Sequence, residues 1–314
     1  MTATSETRSQ IQDVLRRIPH ADADAFTVAA LEGGATNRNF LVTTAGFRWV
    51  LRMGGQNTNL LGISRDSERD SLAKVASLGL APRVVYSDIS DDIMVSDFVA
   101  GRVQTPVSLR EPARLERVAR ALRSVHDGAA FQARFDAFAI VRNYHKLATE
   151  RAVRLPLCAN KVLTLAHEIE HALADRQTLK PCHNDLLSGN FIDDGARLWL
   201  LDWEYSGMGD PFFDLGNLSV NQELDEAQQQ QLLLTYFGEL RDADWAHLQL
   251  MTIVSDMREA WWGFVQSTLS TIDFDYTAYG QRHLERILKN AATPLFNGWL
   301  AQVKRHTELR EYEQ

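Results

Sequence analysis

His183-Asn184-Asp185-Leu186-Leu187-Ser188-Gly189-Asn190-Phe191 sets an aspartate five residues ahead of an asparagine in a short polar loop. That spacing places a carboxylate and a side-chain amide oxygen around one phosphate group. Asp185 is read as the base that accepts a substrate hydroxyl proton, and Asn190 as an oxygen ligand to Mg²⁺. His183 is read as a brace for the loop backbone. Downstream, Leu198-Trp199-Leu200-Leu201-Asp202-Trp203-Glu204-Tyr205 is an apolar run with a carboxylate near its end. Magnesium takes hard oxygen ligands, usually one or two carboxylates plus phosphates, so Asp202 suits a bridge to the β- and γ-phosphates. Either aspartate alone is equally an ordinary turn or solvent residue. The two segments together point to phosphoryl transfer.

Upstream, the chain reads as strands that end in candidate phosphate contacts. Phe26–Leu31 leads into Glu32-Gly33-Gly34-Ala35-Thr36-Asn37, and Phe40–Thr43 and Arg48–Arg52 flank Ala45-Gly46 as a hairpin. Gly33 and Gly34 let backbone N–H groups approach a nucleotide, with Thr36 and Asn37 completing the loop. The loop matches neither GxGxxG nor a P-loop, and a plain hairpin accounts for the same glycines. Arg52 ends its strand and is placed to contact the α- and β-phosphates. Glu68 shares a helix face with Leu72 and Val75, so it is expected to reach inward and hold Arg52. An exposed surface pair is the alternative.

Ile11, Val14, Leu15 and Ile18 form one stripe of a helix that stops before Pro19. A second helix runs from Arg65 to Leu78 and closes at Gly79. Val84–Tyr86 and Ile93–Val95 read as strands, and Ser96–Gly101 as a connector. A lobe boundary near residue 100 follows, with residues 1–100 strand-rich behind an N-terminal helical extension and 101–314 mainly helical. In the second part Leu115, Val118, Ala119, Leu122 and Val125 share one helical face, as do Val162, Leu165, Ala166, Ile169 and Leu173. Residues 179–216 read as short strands and loops. Helices return through Met257–Ser267 and around Leu284–Ile287.

Composition narrows the class. The 314 residues are 45% apolar, enough for two compact lobes, and their formal charge of −8 carries no basic block, which disfavours nucleic acid as a partner. Two cysteines, Cys158 and Cys182, have no metal-ligand spacing, so a reducing compartment and a cytoplasmic location are expected. No signal-peptide core opens the sequence, and no run is long enough for a membrane span. Cys158, Cys182 and His183 match no zinc pattern. Ser188 is not in a G-x-S-x-G elbow.

HNDLLSGNF at 183–191, LLDWEYSGMGDPFFDLGN at 200–217, EGGATNRNF at 32–40 and WVLRMGG at 49–55 together resemble the choline/ethanolamine kinase family, within the wider aminoglycoside-phosphotransferase-like group. The resemblance covers roughly residues 25–290. It implies an α+β, protein-kinase-like bilobal fold, and transfer of the γ-phosphoryl group of ATP to a small amino alcohol with Mg²⁺. On that likeness Asp185 is the base, Asn190 and Asp202 hold the metal, and Arg52 with Glu68 organises the phosphates. Asp97 and Val99 resemble the hinge whose backbone meets adenine. Asp214 is expected to stabilise the catalytic core.

Tyr205, Trp262 and Tyr279 match aromatic positions that enclose choline, where ring faces hold a quaternary ammonium. Trp261 and Trp262 are also what a packed helix would carry. Glu259 departs from the family at a position often held by tryptophan: either a carboxylate there neutralises a cationic head, or a hydrogen-bonded primary amine replaces part of the aromatic enclosure. That leaves ethanolamine and other amino alcohols open beside choline as acceptor. An aminoglycoside phosphotransferase is the enzymatic alternative and a noncatalytic binding protein the other. The missing D-F-G/A-P-E pattern argues against a protein kinase.

Overall fold

The computed structural model describes residues 4–31, 37–55, 58–176, 178–270 and 272–312. In chain order, the first elements are α1 (Ser5–Leu15), β1 (Thr27–Leu31), β2 (Arg38–Thr43), β3 (Arg48–Met53), α2 (Arg65–Ser77), β4 (Val84–Asp88), β5 (Ile93–Asp97) and β6 (Arg102–Val103). Next come α3 (Pro106–Leu109), α4 (Pro112–His126), α5 (Ala137–Glu150), α6 (Ala159–Leu173), β7 (Lys180–Cys182), β8 (Phe191–Asp193), β9 (Leu198–Leu200) and β10 (Gly207–Gly209). The rest is helical: α7 (Pro211–Asn221), α8 (Glu226–Phe237), α9 (Asp242–Leu269), α10 (Tyr276–Ala291) and α11 (Pro294–Tyr312).

Two compact units result, Met1–Val103 with Gly189–Glu204, and Gln104–Ser188 with Tyr205–Gln314. This is the bilobal α+β architecture of a strand-rich small lobe and a helical large lobe. Gly189–Glu204 packs with the first unit, where a single cut near residue 100 leaves it in the second.

The first unit is built on an antiparallel sheet of order β1-β2-β3-β5-β4. The β2–β3 register, Thr43 opposite Arg48, is the hairpin expected around Ala45-Gly46, closed by Thr44 N–H to the Phe47 carbonyl at 2.9 Å. Alternation along β2 and β3 buries Phe40, Val42, Trp49 and Leu51, and α1 covers them with Ile11, Val14, Leu15 and Ile18. Each such large side chain contributes about 1.5–3 kcal/mol on burial. Gly189–Glu204 adds the β8–β9 hairpin, paired to β6.

In the second unit α5, α7, α10 and α11 pack on α9. The sequence reading found only the C-terminal part of α9 and missed α7. Both are buried on nearly every face, so neither has the polar stripe that makes helical periodicity visible. The α9–α10 crossing is close because glycines face it. A Cβ on Gly263 would lie 2.9 Å from the Tyr276 carbonyl oxygen, and one on Gly280 2.9 Å from that of Ala260. Among the described residues, no helix is long and apolar enough to cross a membrane.

The crossing gives a first prediction. Gly280→Ala gains up to about 1 kcal/mol of helix propensity, but overpacking against backbone costs about 1–3 kcal/mol. The clash wins, so urea unfolding should show a lower midpoint. An unchanged or raised midpoint would show that the helices separate freely.

Candidate active site

β7 delivers the loop that carries Asp185, and α7 holds it. Asp214, buried in the first turn of α7, accepts the N–H groups of His183 at 2.8 Å and Asn184 at 2.6 Å. Its Oδ2 also lies 3.0 Å from His126 Nε2, whose Nδ1 is 2.7 Å from the Tyr236 hydroxyl. One turn on, Asn217 Oδ1 accepts Leu186 N–H at 2.6 Å, and Gln222 Nε2 donates to the Leu186 carbonyl at 2.8 Å. Asp185 N–H donates to His183 Nδ1 at 3.2 Å, which is the bracing role read from the sequence. Asn184 takes a positive φ of 67°, paid for by its Nδ2 donating to the Tyr205 carbonyl at 3.0 Å. The core-stabilising role expected of Asp214 is therefore geometric: a buried carboxylate fixes the backbone on both sides of the turn into Asp185.

Asp185 itself is 8% exposed, and Arg258 Nη1 donates to its Oδ1 at 3.1 Å. The same nitrogen reaches Glu259 Oε1 at 2.5 Å, and the Tyr279 hydroxyl donates to Glu259 Oε2 at 2.7 Å. Glu259 is thus balanced inside the protein, and the neutralising charge expected for a cationic head is already met by Arg258. Burial pulls the Glu259 carboxyl up, but Arg258, His283 and Tyr279 outweigh it and leave it below the ordinary glutamate value. Burial and then Glu259 push the Tyr279 phenol well up. Trp262 meets Tyr279 edge to face, centroids 5.9 Å apart and planes at 73°, and Tyr276 likewise at 5.7 Å. Phe274, 49% exposed, adds a ring 6.0 Å from Tyr279. Tyr205 is buried, with its ring under the Arg258 guanidinium at 4.4 Å. Trp261 is the packing residue of the pair, fully buried against Phe264, whereas Trp262 is half-buried.

The first unit holds the other candidates. Arg52 and Glu68 form a bidentate pair, Arg52 Nη2 to Glu68 Oε2 at 2.8 Å, with 7% and 2% exposure, so Glu68 does reach inward. Burial pulls the Arg52 guanidinium down, and Glu68 more than restores it. Arg65 joins the network, donating to Glu68 Oε2 at 3.0 Å, Glu204 Oε2 at 2.9 Å and Asn37 Oδ1 at 2.9 Å. Asn37 also donates to Glu204 Oε2 at 3.0 Å, so its side chain ties the start of β2 to the segment after Asp202. Gly33, Gly34 and Thr36 lie outside the described residues. Asp97 ends β5, its N–H donating to the Arg83 carbonyl at 3.0 Å and its carboxylate accepting from Arg83 Nε at 3.0 Å. Val99 follows in irregular backbone.

Asn190 and Asp202 sit at the same end of the β8–β9 hairpin. Phe191 pairs with Leu200, and Leu201 N–H donates to the Asn190 carbonyl at 2.8 Å, so Asp202 follows the residue opposite Asn190. Asp202 takes a left-handed φ of 63°, and Trp203 behind it is buried with Nε1 on the Leu200 carbonyl at 3.0 Å. An amide oxygen and a carboxylate at one hairpin end are a hard-oxygen donor pair of the kind Mg²⁺ accepts.

The sequence reading missed His126, Asn217, Gln222, Arg65 and Arg258. Each sits on or at the end of a helix, and folding alone brings its partners to it. Asn217 alone had a signal, as the end of FDLGN.

Residues 27–250 match the phosphotransferase enzyme family. A choline/ethanolamine kinase family protein from Mesorhizobium loti has 31% identity and a TM-score of 0.82, over 95% of this chain and 99% of that one. The chain belongs to the choline/ethanolamine kinase family. Choline kinase LicA from Streptococcus pneumoniae, 24% identical, shares the fold of this family member, with a TM-score of 0.79 over 92% of this chain and 99% of that one. Protein LicA of Haemophilus influenzae is 28% identical over 208 residues, 65% of this chain and 61% of that protein. The chain therefore spans about three fifths of that relative.

Within this family member, the lowered Glu259 carboxyl makes a pH-dependent prediction. A depressed carboxyl stabilises the folded state above the ordinary glutamate range, and the contribution is lost as pH falls through its folded value. Glu259→Gln should unfold earlier than the parent near pH 7, and the gap should narrow as pH falls below the ordinary glutamate range. A gap that stays constant from neutral to acid would contradict the ion pair.

Proposed function

We propose that this phosphotransferase uses Mg-ATP to phosphorylate the hydroxyl of a small amino alcohol, choline or ethanolamine. The observation that carries the reading is the unbroken chain of contacts from Asp185 through Arg258, Glu259 and Tyr279 to the Trp262 ring. It links the loop carboxylate read as the base to a right-angled aromatic pair on α9 and α10. Two carboxylates and one guanidinium leave one formal negative charge there, which suits a cationic acceptor.

Ring faces at right angles offer a quaternary or primary ammonium two walls, worth about 0.5–1 kcal/mol each at exposed sites and about 2 when desolvated. Asp185 accepts the hydroxyl proton as the acceptor oxygen bonds to the γ-phosphorus and the bond to ADP breaks. Asn190 and Asp202 would hold Mg²⁺, which when bound neutralises charge on the phosphate oxygens. Arg52, fixed by Glu68, is placed to contact the nucleotide phosphates, and the loop at 33–37 and the Asp97–Val99 segment are assigned to the nucleotide. The right-angled Trp262–Tyr279 pair favours a small cationic head over an aminoglycoside.

Asp185→Asn should lower kcat by about 10²-fold or more while leaving thermal unfolding close to the parent. Turnover near the parent's would remove Asp185 as base. Initial rates with choline, ethanolamine, their methylated intermediates, neutral isosteres and aminoglycosides, with the phosphorylated product detected directly, test the acceptor. Saturable transfer to the cationic alcohols is expected, with Trp262→Ala raising the acceptor KM by about 2- to 30-fold and the ATP KM little. Efficient transfer to an aminoglycoside, with none to the small alcohols, would overturn the acceptor reading.

A further inference from the structure

Arg258 is 2% exposed in the middle of α9, and its polar contacts are uneven. Nη1 serves both Asp185 and Glu259, whereas Nε and Nη2 are buried with no hydrogen-bond partner among the described residues. The guanidinium lies instead over the Tyr205 ring. Burial pulls the group down, but Glu259 and Asp185 more than offset it and keep it a cation. A buried cation with unspent donors is costly, and a neutral side chain of similar volume would fill the space without that cost. The cost is explained if the charge is used.

We propose that Arg258 is a positioning residue: it fixes the Asp185 carboxylate where the acceptor hydroxyl must reach it, and Glu259, clamped by Tyr279, fixes Arg258. The inference rests on the reading of Asp185 as base. Arg258 keeps its protons throughout, and the hydroxyl proton goes to Asp185. Glu259 thereby acts at one remove, through Arg258, and not as a counter-ion to the acceptor. Occupancy of the Trp262–Tyr279 walls is transmitted to the base through the Tyr279 hydroxyl, so an acceptor that seats against Tyr279 also steadies Asp185.

The test uses the purified full-length chain and the alcohol that the parent phosphorylates best. Arg258→Gln should lower kcat by about 10²-fold, the usual scale for a misplaced catalytic group, with the ATP KM unchanged within about twofold. Arg258→Lys, which keeps the cation, should recover about tenfold of that loss. In an Asp185→Asn background, Arg258→Gln should cost less than about twofold more, because both changes act through one carboxylate. A loss confined to the acceptor KM, or full multiplication of the two single effects, overturns the proposal. Should circular dichroism show Arg258→Gln unfolded, Glu259→Gln and Tyr279→Phe carry the test with Arg258 in place. Each should lower kcat several-fold at constant ATP KM, and an unchanged kcat in both overturns it. Failure of the acceptor reading is distinct, since it appears as no transfer by the parent chain to choline or ethanolamine. The same kcat ratios are then read on ATP hydrolysis by water.

Discussion

Two backbone N–H groups, those of His183 and Asn184, end on the two oxygens of one carboxylate that has no solvent exposure, Asp214. An unpaired buried donor costs about 1–3 kcal/mol, so this clamp and its partners decide the path of the loop. Asn217 and Gln222 extend it to Leu186, and His126 holds Asp214 from α4. The positive φ at Asn184 is tolerable only because these bonds over-determine it. Asp185 is presented by a backbone that has almost no freedom left, which suits its proposed role as a base that must meet one proton in one direction.

The first unit solves a different problem with the same device. Arg52, Glu68, Arg65 and Glu204 alternate in charge in one network that Asn37 joins through Arg65 and Glu204, with Arg65 half-buried and the others buried. Breaking such a network by removing one member costs about 3–5 kcal/mol, because an uncompensated charge stays behind. The network joins Asn37 at the start of β2, the sheet, α2 and the segment after Asp202. In the proposed reading, the groups that meet phosphates and the groups that hold the metal are therefore set by one ion network.

Much of this was legible in the sequence where the signal is local. The β2–β3 hairpin, the α1 stripe and the inward face of α2 follow from alternation and helical spacing, and the Asp185, Asn190 and Asp202 motifs from fixed spacing. Glu68 was found because it shares a face with Leu72 and Val75. What stayed hidden was non-local or unpatterned. α7 and most of α9 are buried on nearly every face, with polar residues scattered among apolar ones, so no stripe marks them. Arg258 sits in such a stretch, and its link to Asp185 spans distant parts of the chain. Without that link, Glu259 looked like a free anion for a cationic substrate, whereas folding supplies its partner from the adjacent residue.

The claim that Asp185 and the Trp262–Tyr279 pair serve one acceptor is tested most directly by a crystal structure with a non-hydrolysable ATP analogue, Mg²⁺ and choline. The account predicts the ammonium head against the faces of Trp262 and Tyr279 and the hydroxyl within hydrogen-bond distance of an Asp185 oxygen still held by Arg258. A head bound away from those rings, or a hydroxyl directed to a group other than Asp185, would contradict it.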